Sequence, residues 1–202
     1  KEFYPPITIL KPLKGADEGL FENLKSFFEL EYENFELICS VASTDDPACA
    51  PMRKLQRAYP LVNAQLIIGA EAVGFNPKVN NLIRSYAAAK NDMLLISDSN
   101  VRVKKDYLQR LVSQWREDSG VITALVAGTD AKGIGGYLEA TYLNTFYARG
   151  MNLAFAAGKP CVVGKSMLFR KTYAEKFGGM SALGNYIAED FAIGEKIRKM
   201  GF

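Results

Sequence analysis

Histidine is absent from these 202 residues. A Ser-His-Asp triad and a histidine-based zinc site are therefore excluded within them, and carboxylates, amides, lysines and hydroxyls are left to do any catalysis. Cysteine is scarce: Cys39, Cys49 and Cys161 stand far apart without metal-ligand spacing. Cys39 and Cys161 lie in apolar runs, which predicts reduced core residues rather than a disulfide framework. Neither sign of charge dominates. A net charge of +3 is too small to argue for nucleic acid, and the clusters Arg53-Lys54-Arg57, Arg102-Lys104-Lys105 and Lys196-Arg198-Lys199 read as solvated helix faces. No apolar run reaches roughly 18 residues, the length of a membrane span, and no signal-peptide pattern opens the chain.

What is present is apolar material in short pieces, 49% of the chain, enough for one packed α/β domain. The chain opens at Lys1 without an initiator Met and closes at Phe202 directly after a helical pattern, so it is expected to be an excerpt of something longer. Met93-Leu-Leu-Ile96 is an apolar run without alternation, as in a strand covered on both faces. It is followed by Ser97, Asp98, Ser99 and Asn100, small oxygen-bearing residues just past the carboxyl end of a buried strand, where open α/β sheets bind ligands. The competing account is an Asx-type turn.

The segments around that strand alternate. Ile7 to Leu10 predicts a first strand, closed by Lys11-Pro12-Leu13-Lys14-Gly15. A helix from Asp17 carries Leu20, Phe21, Leu24, Phe27 and Phe28 at helical spacing. Phe35 to Ala42 predicts a second strand, ended by Ser43-Thr44-Asp45-Asp46-Pro47, with Pro47 near the first position of a helix through Met52, Leu55 and Tyr59. Helix capping alone would also explain Asp46. Gln65 to Ile68 is a third strand, and Gly69 to Phe75 a loop. Asn76-Pro77-Lys78-Val79-Asn80-Asn81 then opens a helix whose exposed backbone N–H groups, with Lys78 and two amides beside them, suit an anion. Lys104 to Arg116 predicts an amphipathic helix, and Val121 to Ala127 a further strand. Acids thus cluster at the ends of at least two strands of a nucleotide-binding α/β pattern.

The second half differs. Tyr137 to Ala157 is helical but apolar nearly all round. Leu138, Tyr142, Phe146 and Leu153 form one stripe, and Leu143, Tyr147, Met151 and Phe155 the next. One stripe is expected on the sheet. Core packing is preferred for the other over an apolar ligand or the membrane interface, while Glu139, Asn144 and Arg149 argue against a span. Cys161 to Phe169 predicts a strand pair or bent strand, with Gly164 allowing a kink or close backbone approach to a ligand. Gly164-Lys165-Ser166 lacks the upstream glycine of a P-loop. Glu189 and Asp190 open the last helix, Ala192 to Met200, a placement that favourable interaction with the helix dipole would explain by itself.

Taken together, Leu10-Lys-Pro-Leu-Lys-Gly15, Phe27-Phe-Glu-Leu30, Asp45-Asp-Pro-Ala48, Asn76-Pro-Lys-Val-Asn-Asn-Leu82, Asp98-Ser99 and Tyr186-Ile-Ala-Glu-Asp190 resemble, in order, the inverting, sugar-nucleotide-dependent glycosyltransferases of the family 2/21 type. The resemblance is greatest to the ceramide glucosyltransferases. It implies a GT-A fold spanning residues 1–202 as one nucleotide-sugar-binding catalytic domain with a mostly parallel sheet, carried by flanking membrane helices. A UDP-sugar would lie on Pro12, Lys14, Asp45, Asp46, Lys78, Asn81 and Asp98, with Asp46 towards the uridine. Asp98 and Asn100 would hold Mg2+ or Mn2+, and Asp190, beside Glu189, would be the general base. Asn100 stands where many such enzymes carry a second aspartate, and the family's later Q/R-x-x-R-W element does not occur before Phe202. The implied reaction moves glucose from UDP-glucose to the primary hydroxyl of a ceramide-like lipid. It would occur on the cytosolic face of a bacterial inner membrane or of the Golgi, with no nucleic acid involved. The alternatives are another sugar, such as N-acetylglucosamine, moved to a hopanoid or diacylglycerol, or a nucleotide-sugar-binding domain without turnover.

Overall fold

A computed structural model describes residues 4–129, 131–159 and 161–202; Lys1 lies outside them. Apolar, β-branched segments form a six-stranded sheet in the order β3-β2-β1-β4-β6-β5. The strands are β1 (Ile7–Pro12), β2 (Phe35–Val41), β3 (Ala64–Ile68), β4 (Met93–Ser97), β5 (Val121–Thr123) and β6 (Ser166–Arg170). The first four run parallel, and β6 is antiparallel to both β4 and β5. All residues of β1 and β4 are buried, as the unalternating run Met93 to Ile96 predicts for central strands.

The helices are α1 (Leu20–Phe28), α2 (Cys49–Ala58), α3 (Pro77–Ala88), α4 (Tyr107–Val112), α5 (Gly133–Tyr142), α6 (Ala148–Ala156), α7 (Lys171–Glu175) and α8 (Glu189–Arg198). Two apolar layers cover the sheet. On one face Leu24 and Phe27 of α1, Met52 and Leu55 of α2 and Leu108 of α4 pack on Ile7, Ile9, Leu37 and Leu95. On the other, Val79 and Leu82 of α3 and Ile193 and Ile197 of α8 pack on Leu10, Ile38, Leu94 and Phe169. Adjacent strand residues thus serve opposite cores, the period-two rule applied to a two-faced sheet.

Several boundaries differ from the sequence pattern. The first helix starts at Leu20, because Gly19 before it takes φ 87°, a left-handed conformation that helix interiors exclude. The second starts at Cys49, leaving Pro47 outside it. The segment 104–116 contracts to α4, and 121–127 to the short β5. Only residues 166–170 of the stretch from Cys161 are strand, and Cys161 is half-buried rather than core.

The largest departure is α5 and α6. A π-helical turn over Leu143–Tyr147 joins them into one rod, none of whose side chains is buried. The stripe Leu138, Tyr142, Phe146 and Leu153 faces outward, with Phe146 74% exposed, so the expectation of core packing fails. Leu143, Tyr147 and Met151 are half-buried. Met151 and Phe155 face β5 and α8 across an apolar cavity of about 520 Å3.

Candidate active site

Parallel pairing brings the carboxyl ends of β1, β2 and β4 to one edge, and α3 starts beside them. The resulting cavity, about 650 Å3, is lined by Pro12 at the end of β1 and Lys14 after it, Asp45 and Asp46 after β2, Lys78 and Asn81 of α3, and Asp98, Ser99 and Asn100 after β4. Each residue expected to hold the donor or a cation is on that lining. Glu189 and Asp190 are not; both lie on α8, where Glu189 meets the cavity's edge through Lys78 and Asp190 is bound to Gly164 instead.

Lys78 is the joint. Its Nζ is 2.7 Å from Asp98 Oδ1 and 2.7 Å from Glu189 Oε1. Burial alone would lower its pKa, but Asp98 and then Glu189 raise it above the ordinary lysine value. A half-buried ammonium between two carboxylates is a compensated charge, in contrast to an isolated buried ion. Asn76 builds the same corner. Its Oδ1 accepts from the N–H groups of Lys78 (2.9 Å) and Val79 (3.2 Å), while its Nδ2 donates to Tyr186 O (2.7 Å) and Glu189 Oε2 (3.2 Å). The N–H groups expected to await an anion are thus taken by the cap.

The two amides divide. Asn80 is committed to the loop before α3, its Oδ1 accepting from Val73 and Gly74 N–H groups. Asn81 Nδ2 donates to Leu13 O and Ser40 O, tying together the ends of β1 and β2. Asp46 lies on the cavity's lining and is also bonded within the chain. Its Oδ1 accepts from Ala48 N–H at 2.9 Å, a local turn, and from Gly15 N–H at 3.0 Å, which fixes the loop after β1. Asn100 Oδ1 accepts from Lys165 Nζ at 3.1 Å.

Asp190 is held by backbone donors: Gly164 N–H reaches Oδ2 at 2.6 Å and Phe191 N–H reaches Oδ1 at 2.8 Å. A Cβ on residue 164 would stand 2.9 Å from that Oδ2, so glycine is required there for close approach to a carboxylate rather than to a ligand. Tyr147 of the rod is the neighbour from the other side; burial first, and the Asp190 charge second, push its phenol up. Asn76 as a double bridge is not legible in sequence, because its partners Tyr186 and Glu189 are more than 100 residues away. Lys11 is a second residue of this corner, and its lysine within the apolar run Ile7 to Leu13 is the sequence signal for it. Its Nζ donates to Asp98 O at 2.7 Å beneath the cavity.

No group of three or more Cys, Asp or Glu side chains able to hold a metal occurs among the described residues. A cation here would rest on Asp98 with Asn100 and take its other oxygens from a diphosphate. That donor set suits a hard ion such as Mg2+, which is commonly held by one or two carboxylates plus substrate phosphates.

A sheet edge of this build, with acidic and basic side chains converging after separate parallel strands, is that of the GT-A sugar-nucleotide transferases. The fold matches the mannosyltransferase PcManGT of Pyrobaculum calidifontis, solved with GDP-Man and Mn2+, at TM-score 0.73 and 19% identity over 99% of this chain and 54% of that one. It also matches glucosyl-3-phosphoglycerate synthase of Mycobacterium tuberculosis, solved with Mn2+, UDP and phosphoglyceric acid, at TM-score 0.61 and 14% identity over 98% of this chain and 66% of that one. Residues 1–202 match glycosyl transferase family 21 throughout, and the chain belongs to that family. Ceramide glucosyltransferase 3 of Caenorhabditis elegans is 32% identical over 200 residues, covering 98% of this chain and 44% of the relative. The chain thus spans less than half the length of that relative.

Proposed function

We propose that residues 1–202 form the catalytic domain of a longer membrane-associated protein that transfers glucose from UDP-glucose to the primary hydroxyl of a ceramide-like lipid, with inversion. The observation that carries this reading is the convergence of Pro12, Asp46, Lys78 and Asp98, from four separate elements, on one cavity at the sheet edge. The name of the Caenorhabditis relative supports the acceptor class.

In this reading Asp46 and Asn81 line the nucleoside end, and Lys78 meets the diphosphate, its positive charge already balanced by Asp98 and Glu189. A cation on Asp98 and Asn100 would add positive charge where the leaving group gathers negative charge. The acceptor oxygen attacks the anomeric carbon as the bond from that carbon to the phosphate oxygen breaks. UDP departs with the bonding electron pair, and the hydroxyl proton passes to Asp190. Glu189 differs from Asp190 in its partners: its carboxylate is paired with the Lys78 ammonium and the Asn76 amide, whereas Asp190 is held by two backbone N–H groups. No described helix is long and apolar enough to cross a membrane. The exposed stripe of α5 and α6 supports an approach along the membrane surface; the cytosolic face is the side that this reading assigns to catalysis.

Calorimetry with UDP and Mn2+ tests the donor half. Asp46→Ala should weaken binding at least tenfold, about 1.4 kcal/mol. Unchanged affinity in a folded Ala variant removes Asp46 from the site.

A further inference from the structure

Lys11 is fully buried in β1, in the centre of the sheet. Its side chain runs on the α1 face, and its Nζ lies 3.8 Å from the centroid of the Phe27 ring. It donates to Asp98 O at 2.7 Å and to Ser97 Oγ at 3.3 Å. Both acceptors are neutral oxygens, and burial brings the Lys11 pKa down to about 7, offset only in part by Cys39 and the Asp98 charge. An apolar side chain of similar length would fill the same space at lower cost.

What the lysine supplies is a donor the backbone cannot. The β1–β4 ladder ends at the pair Leu10 and Ile96, and Pro12, two residues on, has no N–H to extend it. Asp98 O, just past the ladder, receives the Lys11 ammonium, with Val101 N–H at 3.2 Å closing the turn. Asp98 N–H is fixed by Lys165 O at 3.3 Å, and Ser99 O accepts from Asn23 Nδ2 at 3.4 Å. These bonds fix the backbone that carries the Asp98 carboxylate on the cavity's lining, and the one from Lys11 comes from a buried amine below the turn.

We propose that Lys11 is a positioning residue of the donor site, anchoring the turn after β4 from below so that Asp98 is presented to the nucleotide diphosphate. The inference rests on reading the cavity as a UDP-sugar site. It assigns a specific task to a residue that touches neither donor nor acceptor.

The test is calorimetry of UDP with Mn2+ on the full-length protein, alongside thermal melting, for wild type, Lys11→Met and Lys11→Gln. Lys11→Met should melt no lower than wild type, because a desolvated charge is removed, yet bind UDP at least tenfold more weakly. Lys11→Gln, which keeps a donor for Asp98 O, should recover part of that loss. A folded Met variant with wild-type affinity overturns the proposal. So does unfolding of both variants, which makes Lys11 a packing residue, as does unfolding of the Met variant alone if the Gln variant binds like wild type. If wild type itself does not bind UDP, the reading of the cavity fails and the inference falls with it.

Discussion

Gly164 shows how much of this site is settled by single atoms. Its N–H is a donor to Asp190, and the absence of a side chain lets that carboxylate approach to 2.6 Å. A methyl group placed 2.9 Å from Oδ2 must push the carboxylate off its donor. Gly164→Ala should therefore lower kcat by roughly tenfold or more, the effect expected when a base is misplaced, while leaving UDP affinity near wild type. Kinetics with both substrates would show it, and an unchanged kcat would mean that Asp190 need not sit there. Legibility at this scale was uneven. Asp46, Lys78 and Asp98 stood out because acids and a lysine followed predicted strand ends and matched family motifs. Gly164 was singled out for close approach, but what approaches is Asp190, a contact between residues 26 apart that no local pattern encodes. Glu189 and Asp190 look equivalent in sequence; only the fold separates them, pairing Glu189 with Lys78 and Asn76 and Asp190 with backbone N–H groups.

Strands and the long helices were readable because burial on both sheet faces leaves continuous apolar runs, and helices with one packed face leave a 3.6-residue period. The rod of α5 and α6 misled for a physical reason. Apolar residues all round a helix mean that it is not simply solvated, but they do not say whether protein or lipid covers it. Its outward stripe makes a testable difference. Phe146→Ser should change stability by only about 0.5 kcal/mol or less, as at an exposed position, whereas Leu108→Ala on α4 should cost about 2–5 kcal/mol. If the stripe meets lipid, the Phe146 variant should also sediment less with anionic vesicles; a large stability loss with unchanged vesicle binding would place the stripe in the core after all.

The start of β4 carries a pH signature of its own. Asp92 accepts from Thr172 N–H and Arg170 Nη1, each at 2.9 Å. Burial would raise its pKa, but the Thr172 N–H and then Arg170 outweigh it and hold the carboxyl below its ordinary 3.8. Because the folded value is the lower one, this stabilisation is present above the unfolded pKa and is lost as pH falls through the folded one. Melting between about pH 6 and pH 3 should show a steeper acid-side loss for wild type than for Asp92→Asn. Parallel slopes would detach Asp92 from the stability of this corner.

Over the whole molecule, the sheet order explains why motifs scattered from Pro12 to Asn100 meet at one cavity. Parallel strands β1, β2 and β4 deliver their loops to the same edge, and α8, packed with β4 and β6, brings Glu189 to it through Lys78. The mostly parallel α/β class and the GT-A resemblance were both legible before any coordinates, because βα alternation and motif order are properties of the linear chain. The antiparallel β6 and the ionic bridge through Lys78 were not, since each depends on which distant segments meet.

The central claim is that Asp190 is the base at the end of this assembly. Its most direct test is Asp190→Asn in the full-length protein, assayed for glucosyl transfer from UDP-glucose to ceramide and, separately, for UDP affinity. Asparagine keeps the shape and oxygen acceptor of the side chain but not its basicity, so turnover should fall roughly 100-fold or more with donor affinity nearly intact. Near-normal transfer by a folded Asn variant would contradict the account, because asparagine serves a helix start about as well as aspartate and only a structural role would survive the exchange.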